Sequence, residues 1–159
     1  MRLLTALLAF AALAAAPAAR AQDEPLALAF CDFFARPIGP RGLEPTPQLL
    51  AAQGRKVRLV GYMVQREQPL PGRFLLTPRP VSMAEHADGE ADDLPAATVT
   101  VLLPPALRGG VVAYQGGPLA LTGRLDWGRA EDDTGRVSWL RLHLAPEGLS
   151  PAAVPAPAP

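Results

Sequence analysis

The 159-residue chain has one cysteine, one lysine and two histidines. A single cysteine excludes an internal disulfide, so the fold must stand on its core alone. Cys31 lies in Phe30-Cys31-Asp32-Phe33-Phe34, the densest aromatic cluster of the sequence. No histidine or lysine near it in sequence lowers its pKa. The expectation is a small, buried, inert side chain packed beside phenylalanines. Aromatic residues make up only 6% of the chain, too few to interleave with basic residues as a stacking platform for single-stranded nucleic acid. Also missing are Gly-x-Ser-x-Gly, His-Glu-x-x-His and a glycine-rich phosphate loop, and with them the common nucleophile, zinc-protease and nucleotide sites.

The longest apolar run, Leu3 to Ala16, is interrupted only by Thr5. It is shorter than the roughly 20 residues needed to span a bilayer. Arg2 precedes it, and Ala19 and Ala21 follow as small residues of an A-x-A-like cleavage site. Residues 1–21 therefore read as a secretory signal peptide cleaved after Ala21, which predicts an exported, periplasmic protein with no transmembrane segment after cleavage. Loss of Arg2 and Arg20 leaves 13 basic residues against 15 acidic ones, a net charge of −2. That balance argues against nucleic acid as a partner.

Residues 22–54 are rich in proline and glycine and predict an N-terminal arm of turns that packs on the domain through Phe30, Phe33 and Phe34. Within it, Thr46 as N-cap, Pro47 at the first position and a closing Gly54 predict a short helix over 47–53. From Val57 the period is two, the signature of strands. Strands are predicted at 57–64, 73–77, 97–103, 119–127 and 137–144, separated by turns and an irregular stretch over 78–95. The first and fourth share a template, Val57-x-Leu59-x-Gly61-x-Met63 and Leu119-x-Leu121-x-Gly123-x-Leu125. A mid-strand glycine marks a sharp bend or bulge. Five strands, two of them bent, predict an all-β fold: a small five-stranded OB-like barrel over residues 55–145. Residues 146–159 read as a disordered Ala/Pro tail.

Five blocks of the sequence carry a resemblance: Phe33 to Leu43, Gly54 to Val64, Phe74 to Pro80, Asp92 to Val101 and Leu121 to Leu142. They resemble successive blocks of an uncharacterised family of small exported bacterial proteins with an OB-fold-like core. The resemblance implies a small exported domain and supplies no activity. Some of those proteins carry Cys-x-x-Cys after the second strand; here the chain reads Ala84-Glu85-His86-Ala87-Asp88, so no thiolate role carries over.

The best chemical candidate is the loop from Glu85 to Asp93. Glu85, His86, Asp88, Glu90, Asp92 and Asp93 supply five carboxylates and one imidazole with no basic residue among them. Clustered oxygens suit calcium, and histidine with carboxylate suits zinc. The calcium-loop match then fails, because Asp93 and Val99 stand where glycine and a bidentate glutamate belong. A second acidic group, Glu131-Asp132-Asp133, precedes Thr134-Gly135 and is accounted for by turn chemistry. His143 reads as a half-exposed strand residue. The sequence thus favours a non-catalytic periplasmic binding or accessory module, without a resident cofactor, acting on another envelope protein or a small ligand. The alternative is a carboxylate-based hydrolase of an exported or cell-envelope substrate.

Overall fold

Thr46 sets the entry to the domain. Its hydroxyl accepts a hydrogen bond from the Leu49 amide at 3.1 Å and donates to the Asp32 carbonyl. It therefore caps helix α1 (Pro47–Ala52) and ties it to the preceding turn. Pro47 occupies the first turn, where its missing N–H costs nothing, and Gly54 leaves the helix with φ +70°. Leu49 and Ala52, on the inner side of this helix, are fully buried. The structure, a computed structural model, describes residues 24–83, 85–86, 89–90 and 94–151. The predicted signal peptide lies outside them.

The fold is mostly β. Its strands are β1 (Leu26–Leu28), β2 (Lys56–Met63), β3 (Gln65–Arg66), β4 (Arg73–Thr77), β5 (Ser82–Met83), β6 (Glu85–His86), β7 (Gly89–Glu90), β8 (Val99–Leu102), β9 (Pro118–Glu131) and β10 (Val137–Pro151). Six of them form one sheet in the order β1-β2-β4-β8-β10-β9, and β9 also pairs with β2. β2 runs antiparallel to β9 from Lys56↔Arg124 to Tyr62↔Pro118. Its other edge takes β1 in parallel at Val57 to Leu59, then β4 at Tyr62 and Met63. The handover falls around Gly61, which the Phe30 ring, the Thr77 carbonyl and Leu76 approach so closely that a Cβ would sit 2.7 to 3.0 Å from them. β4 pairs antiparallel with β8, β8 parallel with β10, and β10 antiparallel with β9.

Alternation along these strands builds one core. Val57, Leu59, Val99, Val101, Leu121, Leu125, Leu140 and Leu142 all point inward and are essentially inaccessible. Phe33 from the N-terminal segment is equally buried and belongs to the same core cluster.

Besides the two-residue ladders β3–β5 and β6–β7, which form in stretches expected to be turn and irregular, three expectations change. The sheet has a sixth strand, β1, too short to show a period; its parallel register on β2 forms it. β10 runs on to Pro151, well past the expected end at Leu144, and so takes in the first residues of the supposed tail. Between Leu144↔Gly123 and Leu149↔Leu121 the ladder breaks for a bulge. Pro146 sits in that gap, where its lack of an N–H loses no ladder bond. A Cβ on Gly148 would fall 2.1 Å from the Thr122 carbonyl, so only glycine fits there.

The third change is Cys31, which is exposed. The 3-10 turn Phe30–Asp32 aims Phe33 inward and leaves Cys31 outside, its Sγ 3.7 Å from Asp32 Oδ1. Native protein is therefore expected to react with a thiol reagent as fast as denatured protein does. A reaction that requires denaturant would contradict this placement.

Candidate binding groove

β4 and β8 are short, and their alternation separates two faces. Phe74, Leu76, Val99 and Val101 fill the core. Arg73, Leu75 and Thr100 take the opposite face, with Leu75 registered on Thr100. The segment after β3 and the β9–β10 turn stand at the margins of this face. Together they enclose an open groove of about 810 Å³, lined by Leu70, Arg73, Leu75, Thr98, Thr100 and Trp139 among others.

Asp132 fixes the turn at one margin. One carboxylate oxygen accepts from the Thr134 amide at 2.8 Å, the Thr134 hydroxyl at 2.6 Å and the Arg136 amide at 3.2 Å. The other oxygen accepts from the Arg73 guanidinium. The turn is thus strapped to β4. Gly135, at φ +79°, supplies the left-handed residue that the turn requires. The Thr134 hydroxyl, then Arg73, then the two backbone amides hold the Asp132 carboxyl well below the usual carboxylate range. A depressed folded-state pKa stabilises above the unfolded value and is lost as pH falls through the folded one. Asp132→Asn should therefore be less stable than the parent at pH 7. That deficit should shrink progressively below about pH 4, where the unfolded carboxyl protonates. Urea melts from pH 7 to pH 2 measure it; a deficit constant with pH would show that the carboxylate charge contributes nothing.

Trp139 stands on β10, just beyond that turn. Between Leu140↔Trp127 and Ser138↔Ala130, β9 has one extra residue, so Gly128 and Arg129 oppose Trp139 alone. Gly128 adopts φ +122° at this bulge. The Arg141 guanidinium clamps it, donating to the Gly128 carbonyl at 2.6 Å and the Ser138 carbonyl at 2.8 Å. Trp139 remains 55% exposed, yet its ring lies 5.9 Å from that of Trp127. Trp127 in turn meets Phe34 edge-on at 5.6 Å, and Phe34 meets the buried Phe33 at 6.4 Å. An aromatic ladder leads from the core to the groove.

No family model matches the sequence, and no curated protein does. The structure is similar to the 2.45 Å crystal structure of a DUF3299 family protein from Pseudomonas aeruginosa. The likeness covers 84% of this chain and 99% of that one, at a TM-score of 0.53 and 15% identity. At that identity it concerns the fold alone, and it links this chain's architecture to a family without an assigned function.

The acidic loop fares differently from the groove. Asp88, Asp92 and Asp93 lie outside the described residues. Glu85, His86 and Glu90 fall in a two-residue antiparallel ladder, Glu85↔Glu90 and His86↔Gly89. Their side chains also lie outside the description, so the candidate metal ligands are neither assembled nor separated here. Among the described residues, no group of three or more His, Cys, Asp or Glu side chains could hold a metal ion. No helix among them is long and apolar enough to cross a membrane.

His143 is partly exposed and engaged: its Nε2 lies 2.8 Å from Asp126 Oδ2, and Arg124 donates to Asp126 Oδ1 at 2.7 Å. It also borders a second groove of about 460 Å³ with Arg73, Arg108, Asp132 and Asp133.

Phe74, the one aromatic residue of β4, is buried in the core and does not reach the groove. Leu75, Thr100 and Trp139 went unnoticed as a set. Their shared signal was the outward phase of three strands, visible only once the pairing is known.

Proposed function

We propose that this chain is an exported, non-catalytic binding module, a closed five-stranded barrel of the OB type that takes its ligand on the outer face of β4 and β8. The observation that carries this reading is the position of the 810 Å³ groove. In an OB barrel, ligands lie across the second and third strands between the first–second and fourth–fifth turns. The pairing path β2-β4-β8-β10-β9, returning from β9 to β2, has the strand order of that fold. On that numbering the groove occupies the corresponding face, flanked by residues 64–72 and 132–136. Export is supported by the apolar segment and Ala-x-Ala pattern of residues 1–21.

Binding is favoured over hydrolysis because, among the described residues, no carboxylate lines the groove. Asp132 straps the turn to β4, and Asp126 bridges Arg124 and His143. Neither is presented to the groove as a proton donor, and the lowered pKa of Asp132 is the opposite of what a general acid needs.

The test is amide chemical-shift mapping of the isotope-labelled protein against oligosaccharides, oligonucleotides and proline-rich peptides. The expected result is a set of shifts confined to residues 73–75, 98–100 and 134–139. Shifts centred instead on residues 85–93 or on the groove beside His143 would place the binding site elsewhere and refute this reading.

A further inference from the structure

Resting on the groove just described, we infer that its ligand is an oligosaccharide and that Trp139 is the platform on which a sugar ring stacks. Three features of the groove converge on this chemistry.

The first is an aromatic plane that is exposed yet held in place. A lone exposed tryptophan is unremarkable on a protein surface. Trp139 differs because it rests against Trp127 at 5.9 Å, and Trp127 against Phe34 at 5.6 Å. The bulge at Gly128, clamped by Arg141, fixes the strand beneath it. The ring therefore loses little freedom when a ligand covers it, which is the condition for useful binding energy. One face of a pyranose presents C–H bonds with partial positive charge, matching the negative face of an indole.

The second feature is the ring of short hydroxyls around that plane. Thr98, Thr100, Thr134 and Ser138 all line the groove. The hydroxyls of Thr98 and Thr134 donate internally, to the Pro95 carbonyl and Asp132 Oδ1, both at 2.6 Å. They keep lone pairs that can accept from sugar hydroxyls. Apolar Leu70 and Leu75 complete a surface that alternates greasy and polar patches, as a sugar does.

The third is charge. A single-stranded nucleic acid also stacks on aromatics, but it needs a basic groove to track its phosphates. Two arginines, Arg73 and Arg136, line this groove, and Arg73 is ion-paired with Asp132, so the basic side chains are too few to track a run of phosphates. A proline-rich peptide needs a groove lined by several aromatics. Trp139 is the single aromatic residue lining this one among the described residues. A neutral glycan fits both constraints.

The experiment is isothermal titration of the full chain with chitotetraose and cellotetraose, and with dT8 and octaproline as competing chemistries. Parent, Trp139→Ala, Trp139→Phe and Thr100→Arg are compared, each first checked by thermal melting. At least one glycan is expected to bind the parent. Trp139→Ala should weaken it roughly tenfold, the scale of one aromatic stacking contact. Trp139→Phe should retain most of the affinity, and Thr100→Arg, which fills the groove floor, should abolish it.

If Thr100→Arg abolishes glycan binding while Trp139→Ala leaves it intact, the platform is refuted and the groove stands. If dT8 or octaproline binds, sensitive to Thr100→Arg, while neither glycan does, the ligand class is refuted and the groove again stands. A glycan indifferent to both substitutions overturns the platform and the groove together. Absence of glycan binding at millimolar concentration overturns the oligosaccharide assignment.

Discussion

Gly123→Val is expected to destabilise the protein by about 3 kcal/mol or more and to lower its melting temperature by roughly 10 °C. A Cβ at this position would lie 2.3 Å from the His143 carbonyl oxygen, 2.9 Å from its carbon and 3.1 Å from Leu142 Cγ. Two of those three atoms are backbone, on a strand paired to β9 along most of its length. A flexible side chain could swing aside; β10 cannot readily, because His143 is held in register on β9 on one side and on β8 on the other. Gly61→Val meets the Thr77 carbonyl at 2.8 Å, but its other close neighbours are side chains, Phe30 at 2.7 Å and Leu76 at 3.0 Å. Its cost should be somewhat smaller. Gly116→Ala is the control: nothing lies within 4 Å of its Cβ position, so it should change stability little. Denaturant melts of the three variants check the order. If Gly123→Val melts with the parent, β9 does not approach β10 as described.

Both glycines were legible in the sequence, for a reason specific to them. An apolar-x-apolar-x-Gly template inside a strand makes sense only if something crowds the backbone there. Helix α1 was legible because Thr46, Pro47 and Gly54 each meet a local backbone requirement that needs no distant partner. The groove was not. Leu70, Leu75, Thr100 and Trp139 become neighbours only through the β4–β8 and β8–β10 ladders, and no local period distinguishes an outward residue that lines a groove from one that meets water. Trp139 was further concealed by the Gly128 bulge, where one residue on β10 faces two on β9. β1 lay hidden because three residues carry no period, and its partner lies about thirty residues away in sequence. Cys31 was misplaced for a related reason. An aromatic-rich run looks buried throughout, whereas a 3-10 turn buries one residue and exposes its neighbour.

Phe33→Ala is expected to cost about 3–5 kcal/mol, the usual range for a fully buried phenylalanine. Phe33 is completely inaccessible, lies in the same core cluster as Leu49 and Val57, and touches Phe30 at a ring distance of 5.3 Å. Its carbonyl accepts the Thr46 amide at 3.0 Å, directly beside the cap of α1. A cavity here would open beneath the helix and beneath Phe34 at once. Loss of the Phe34 support should loosen the Trp127–Trp139 pair, so the variant should also show altered tryptophan emission. Phe34→Ala separates the two effects. Phe34 is only partly buried, so its truncation should cost less stability while disturbing the tryptophans comparably. Urea denaturation followed by fluorescence measures both. A Phe33→Ala cost below about 1 kcal/mol would mean that the arm is an appendage rather than part of the core. In that case a chain beginning at residue 55 should fold alone; on the packing described, it should not.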